Sequence, residues 1–182
     1  MNICIFPGTF NPIHEGHLKM AQYVLKKYKF DKIIFIPSYI PPHKNIDKNL
    51  ANHRFQMVKL LLNDNPQFEI SDIEYTSEQK SYTLITINKI REMYGIENRL
   101  NIIIGTDAFN KIETWFNFEK IKNIAHFIVF PRIGFPLKEK IGWDYELVEA
   151  DYFNISSTEI RNGIKKNKKL ERYIKEHGLY RI

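Results

Sequence analysis

A chain of 182 residues with 43% apolar and 26% charged side chains has the length and composition of one soluble domain with a full core, and it is neither disordered nor fibrous. The apolar start Met1–Phe6 stops at Pro7-Gly8, too early for a signal-peptide core or a membrane span, and Cys4 as the only cysteine excludes an intrachain disulfide and a four-cysteine zinc site. The net charge of +6 arises from Ile160 onward, where eight Lys or Arg residues stand against two Glu; this fits a solvated helix face near an anionic ligand better than a nucleic-acid surface. A cytoplasmic protein with no membrane and no nucleic-acid partner is expected, and Cys4, inside an apolar run, reads as a buried structural thiol.

Four apolar runs rich in Ile, Val and Phe predict strands buried on both faces: Asn2–Phe6, Lys32–Ile36, Asn101–Ile104 and His126–Phe130. Phe68–Ile70 is a further candidate. Helical spacing lies between them: Leu18, Ala21, Val24, Leu25 and Tyr28 within His17–Tyr28; Val58, Leu61 and Leu62 within Phe55–Leu62; Leu84, Ile87, Ile90 and Tyr94 within Tyr82–Tyr94. Pro131–Tyr145 reads as a surface excursion. The chain then ends in two predicted helices, one starting after Ile155 and one with the stripe Leu170, Tyr173 and Ile174. Alternating strands and helices predict an α/β fold, a Rossmann-like open parallel sheet with helices on both faces. Each main strand runs into a turn-forming motif: Pro7-Gly8-Thr9, Pro37 to Lys44, Gly105-Thr106-Asp107 and Pro131-Arg132. These turns occupy the carboxyl ends of the strands, where open α/β sheets bind ligands.

The first turn carries the most chemistry. Gly8 permits close backbone approach, Thr9 and Phe10 offer amides in a tight turn, and Asn11-Pro12 initiates the next turn. His14 and His17, three apart at a helix start, share one face, with Gly16 between them leaving room for a ligand. The unpaired amides of a helix N-terminus suit a phosphate. A zinc helix does not fit, because His17 comes one residue too early for the H-E-x-x-H spacing, and no metal-ligating set is expected. Near the other end, Ser156 with Glu159 fits a capping box, and the same hydroxyls and amides with Arg161 also suit a polyphosphate.

Gly8-Thr9-Phe10-Asn11-Pro12-Ile13-His14-Glu15-Gly16-His17 closely resembles the (G/P)-G-T-F-D-P-x-H-x-G-H signature of the nucleotidyltransferase superfamily, and Ile155-Ser156-Ser157-Thr158-Glu159-Ile160-Arg161 resembles its I-S-S-T-x-I-R motif. Pro41-Pro42-His43-Lys44, Ser81-Tyr82-Thr83, Ile103 to Asp107, Thr114-Trp115-Phe116 and Gly178 to Arg181 are similar to the bacterial nicotinate mononucleotide adenylyltransferases, so the resemblance spans the chain. It implies one nucleotidyltransferase domain over residues 1–182, with 156–182 a C-terminal helical segment. The implied reaction joins ATP and nicotinate mononucleotide into nicotinate adenine dinucleotide and pyrophosphate, a step of NAD biosynthesis assisted by Mg²⁺.

The resemblance also distributes roles. His14, His17 and Arg161 are the implied catalytic residues, and Gly8, Thr9, Phe10, Gly105, Asp107, Ile155, Ser156 and Ser157 the implied ATP and phosphate contacts. Lys44, Thr83, Trp115 and Phe116 would meet the mononucleotide, with Trp115 against the pyridine ring and amides near Thr83 and Phe116 on its carboxylate. On residue type alone Trp115 and Phe116 read equally as core aromatics, Asp107 as a helix cap and Lys44 as a solvated loop residue. His43 is a weaker candidate than Lys44, and His53, His126 and His177 read as structural or surface residues. Three positions depart from the common pattern: Pro7 for the first Gly, as in the phosphopantetheine branch, Asn11 for Asp, and Phe116 where Tyr is frequent. Homo-oligomerisation is left open.

Overall fold

Alternation along the first strand sets the architecture: Ile3 and Ile5 point to one side, Cys4 and Phe6 to the other, and all four are buried. A strand apolar on both faces must be covered on both, and helices do this here. The computed structural model describes residues 1–76, 80–149 and 168–180. In chain order these form β1 (Ile3–Gly8), α1 (Glu15–Tyr28), β2 (Lys32–Pro37), α2 (Ala51–Leu62), β3 (Phe68–Ile70), α3 (Thr83–Tyr94), β4 (Leu100–Gly105), α4 (Thr106–Phe109), α5 (Phe118–Ile124), β5 (Ala125–Phe130), β6 (Tyr145–Leu147) and α6 (Lys168–Glu176). The six strands form one parallel sheet in the order β3-β2-β1-β4-β5-β6.

One face packs Cys4, Phe6, Ile33, Phe35, Ile103 and Ile128 under Leu18, Ala21 and Val24 of α1, Met57, Val58 and Leu61 of α2, and Leu170 and Ile174 of α6. The other packs Ile5, Ile34, Ile36, Ile102, Ile104 and Phe127 under Leu84, Ile87 and Ile90 of α3 and Ile121 of α5. Each fully buried Ile, Leu or Phe contributes on the order of 1.5–3 kcal/mol of transfer free energy. The two layers therefore dominate the fold's stability and hold the strand ends at fixed spacing.

The open parallel sheet with helices on both faces is the expected architecture, and all five anticipated strands are present. Three details differ. Helix α1 starts at Glu15 and not at His17, because His14 caps it, and α2 starts at Ala51 and not at Phe55, after a 3-10 turn at Lys48–Leu50. Short elements α5 and β6 were not anticipated; seven and three residues are too few for a period to declare itself. Pro131–Tyr145 does run over the surface, with Ile133 and Phe135 exposed. The basic C-terminal helix α6 buries Leu170 and Ile174 while Lys169 pairs with Asp64 and Arg172 with Glu176. The helix expected after Ile155 lies outside the described residues. Among the described residues no helix is long and apolar enough to cross a membrane.

Candidate active site

The strand order reverses between β1 and β4, which are neighbours although three helices and two strands separate them in sequence. At such a switch point the connections leave in opposite directions, and a crevice opens beyond the strand ends. A cavity of about 550 Å³ lies there, walled by Gly8, Thr9, Phe10, Asn11 and His17 after β1, Lys44 after β2, Gly105 and Asp107 after β4, and Arg132 after β5. A second recess of about 460 Å³, at the opposite sheet edge against Met1–Ile3 and Tyr94–Asn101, holds none of the motif residues.

Two glycines exist for close approach. A Cβ at Gly8 would stand 2.8 Å from the ring of Phe10, which folds back over it at a backbone φ of +48°. Phe10 is buried and packs edge-on against Phe6 and His17, at 5.4 and 5.1 Å between ring centroids. A Cβ at Gly105 would stand 2.6 Å from Oδ1 of Asp107 and 3.1 Å from Cγ of Arg132. The space above β4 is thus filled by a carboxylate and a guanidinium side chain, and Thr106 Oγ1 accepts the amide of Arg132 at 2.9 Å.

The two histidines form a reciprocal cap on α1. The amide of Gly16 donates to Nδ1 of His14, and the amide of His14 donates to Nδ1 of His17, both at 3.1 Å. The rings stack 3.7 Å apart at 27°. With Nδ1 accepting in each, the proton of a neutral ring resides on Nε2. Burial, the imidazole of His14 and the cations Arg132 and Lys44 hold His17 well below its usual range, so it is neutral at physiological pH and a hydrogen-bond donor through Nε2. His17 lines the cavity, whereas His14 is 1% exposed and does not. The room expected at Gly16 is not there: Gly16 is buried and gives its amide to His14.

Arg54 was not anticipated. It has no exposed surface, and its guanidinium donates to the carbonyls of Thr9, Ser38 and Tyr39 at 2.7, 2.7 and 3.0 Å. These bonds bolt the turn after β1 to the chain leaving β2. Its sequence signal was available, because Ala51, Arg54, Val58 and Leu61 share one buried stripe of α2 and only one of them is charged. Arg132 was legible only as part of a turn after a strand. Tyr180, near the chain end, donates to Oδ1 of Asn11 at 2.6 Å, so the residue that departs from the signature is held by the segment after α6.

The remaining expected residues divide. Lys44 reaches the cavity from an exposed loop. Asp107 lies in the first turn of α4 without capping it; Gly105 occupies the cap position. Thr83, Trp115 and Phe116 do not line this cavity. Thr83 is the first residue of α3, Trp115 packs half-buried on the α3 face of the core, and the exposed ring of Phe116 lies 4.9 Å from Tyr82. Ile155, Ser156, Ser157 and Arg161 lie outside the described residues. Among the described residues no group of three or more His, Cys, Asp or Glu could hold a metal.

This arrangement, with a tight glycine turn, a neutral imidazole donor and two cations around one crevice, suits a polyphosphate. The cytidylyltransferase-like family model matches residues 5–163. The probable nicotinate-nucleotide adenylyltransferase of Caldicellulosiruptor saccharolyticus is 40% identical over the whole of both chains. The nicotinate-nucleotide adenylyltransferase of Bacillus subtilis is 38% identical over 98% of this chain and 97% of its own. The fold matches that of a Plasmodium falciparum nicotinic acid mononucleotide adenylyltransferase complexed with NaAD, with a TM-score of 0.81 over 98% of this chain and 97% of that one, at 24% identity. The chain belongs to the cytidylyltransferase-like nucleotidyltransferases and, within them, to the nicotinate-nucleotide adenylyltransferase family.

Proposed function

We propose that this protein transfers the adenylyl group of ATP to nicotinate mononucleotide, forming nicotinate adenine dinucleotide and releasing pyrophosphate, a step of NAD biosynthesis in the cytoplasm. The observation that carries this reading is the neutral His17 beside Lys44 and Arg132 at the switch point, over the Gly8–Phe10 turn. An oxygen of the acceptor's phosphate attacks the α-phosphorus of ATP in line. That P–O bond forms as the bond to the β-phosphate oxygen breaks, and pyrophosphate leaves. The nucleophile is anionic already, so no general base is required, and catalysis consists of positioning and charge stabilisation.

His17 donates through Nε2 to the phosphates as charge moves toward the leaving group, and His14 holds the ring that does so. Lys44 and Arg132 offset the clustered negative charge, joined by Arg161, with Ile155, Ser156 and Ser157 contributing amides and hydroxyls to the polyphosphate. The amides of Thr9 and Phe10 take the phosphate at the turn, and Asp107 takes ribose or phosphate-side groups. Trp115 meets the pyridine ring, and the amides near Thr83 and Phe116 its carboxylate. Mg²⁺ arrives with ATP; it needs few protein ligands when phosphates and water complete its shell, and Asp107 is the carboxylate lining the cavity. When bound it neutralises phosphate charge.

A pyrophosphate-release assay with ATP and nicotinate mononucleotide, nicotinamide mononucleotide or phosphopantetheine tests the reading. Turnover with nicotinate mononucleotide is expected. Turnover with phosphopantetheine alone, the branch that Pro7 resembles, overturns it.

A further inference from the structure

Glu74, in the turn after β3, belongs to none of the motifs, yet its carboxylate meets the first turn of α3. Thr86, one turn into α3 and 4% exposed, donates its hydroxyl to Oε1 at 2.8 Å. The nearby Ser81 hydroxyl also favours the ionised carboxylate. Ser81 Oγ in turn accepts the amides of Tyr39 and Ile40, at 3.0 and 3.2 Å, and its own amide donates to the carbonyl of Ile40 at 2.9 Å. The carbonyl of Tyr39 takes a bond from Arg54, which also holds Thr9. Glu74 therefore holds the first turn of α3, while Ser81, directly before Tyr82 and Thr83, ties the entry of that helix to the segment leaving β2 and through it to the turn after β1.

We propose that Glu74 is a positioning residue for the acceptor: by holding Thr86 it fixes the first turn of α3, whose lead-in Ser81 is bonded to Tyr39–Ile40, and so places the backbone around Thr83 on which the mononucleotide docks. The inference rests on the acceptor role of Thr83, Trp115 and Phe116 given above. A surface carboxylate would not need this set of partners. Glu74 is mostly withdrawn from water, and burial raises its carboxyl to about 7 against the opposing effects of the Thr86 and Ser81 hydroxyls, the guanidinium of Arg54 on α2 and Lys89 on α3. Tyr75, beside it in the turn, is pushed upward as well, chiefly by burial. The ionised carboxylate accepts the Thr86 hydroxyl more strongly than the acid does, so acceptor binding strengthens as pH rises through this range.

The test is steady-state kinetics of the full chain as Glu74→Ala, Glu74→Gln and Trp115→Ala, varying ATP and nicotinate mononucleotide separately from about pH 6 to 8.5. Glu74→Ala is expected to raise KM for nicotinate mononucleotide about tenfold while KM for ATP stays within about twofold. Glu74→Gln keeps an acceptor oxygen for Thr86, so it restores most of that KM but flattens the rise of acceptor kcat/KM near neutral pH. Equal rises in both KM values, or an unchanged acceptor KM in Glu74→Ala, overturn the proposal. If Glu74→Ala does not fold, the Glu74→Gln pH profile decides, and a profile identical to wild type overturns the proposal. Trp115→Ala separates the two levels. An unchanged acceptor KM there removes the acceptor reading itself, whereas a raised one with Glu74→Ala unaltered removes only the role of Glu74.

Discussion

His14 and His17 cap one helix together: their imidazoles stack at 3.7 Å, and the backbone amide of His14 donates to Nδ1 of His17. A single sequence interval of three thus does two jobs. It closes the first turn of α1, as a capping box does with other residues, and it leaves Nε2 of His17 as a donor at the cavity wall.

Replacing His17 by Ala should lower kcat by roughly 10²–10³, the usual cost of losing one donor to developing charge. The lost cap should cost the fold only about 1 kcal/mol, so the protein remains folded at the assay temperature. Kinetics beside a thermal melt check both parts. A normal kcat removes His17 from the chemistry.

Acid and alkali should act on stability through different groups. His17 is held well below its usual range, by burial first and by the charges of His14, Arg132 and Lys44. The unfolded chain takes up that proton near about pH 6.5 and the folded chain does not, so stability is lost as pH falls below that value. Glu74 runs the other way, since burial raises its carboxyl from 4.5 to about 7. Its contribution is full below the lower value and is lost as pH rises through the upper one. Thermal midpoints of wild type, His17→Asn and Glu74→Gln across pH should show the acid slope reduced in the first variant and the alkaline slope reduced in the second.

Arg54 donates from the interior to three carbonyls, those of Thr9, Ser38 and Tyr39. Arg54→Leu should destabilise the fold by about 3 kcal/mol, because removing a buried charged donor leaves its acceptors unmet. Arg54→Lys, with a compact ammonium in place of a fork, should fall between the two. Urea unfolding measures this directly, and a Leu variant as stable as wild type would mean that the turn after β1 holds itself.

Gly105 offers a probe that removes no functional side chain but displaces two. A methyl group there collides with Oδ1 of Asp107 and crowds Cγ of Arg132. Gly105→Ala should raise KM for ATP about tenfold with little change in melting temperature, a binding loss separable from the chemical step. An unchanged KM for ATP would show that neither side chain touches the nucleotide.

Much of this was legible in one dimension. The strands announced themselves because residues 3–6, 33–36, 102–104 and 127–130 are apolar on both faces, which soluble chains tolerate only inside a parallel sheet. The turn after β1 and the cap of α1 were legible because Gly8, Phe10, His14 and His17 lie within ten residues of one another. Elements α5 and β6 were not, since each is shorter than the pattern that would reveal it. The partition of the expected residues was hidden too: Lys44 and Arg132 join His17 at one cavity from beyond the ends of β2 and β5, while Trp115 and Thr83 stand outside it.

The sequence by itself determined the sheet, the crossover helices and the turn that caps α1, because each depends on residues close in the chain and on a periodicity of burial. Only the tertiary structure decided that His17 and not His14 reaches the cavity, that a buried Arg54 ties the turns after β1 and β2 to one another, and that Glu74 after β3 meets Thr86 of α3. Those relationships depend on strand order. The reversal between β1 and β4 places residues more than a hundred positions apart on one crevice, and no local pattern encodes that distance.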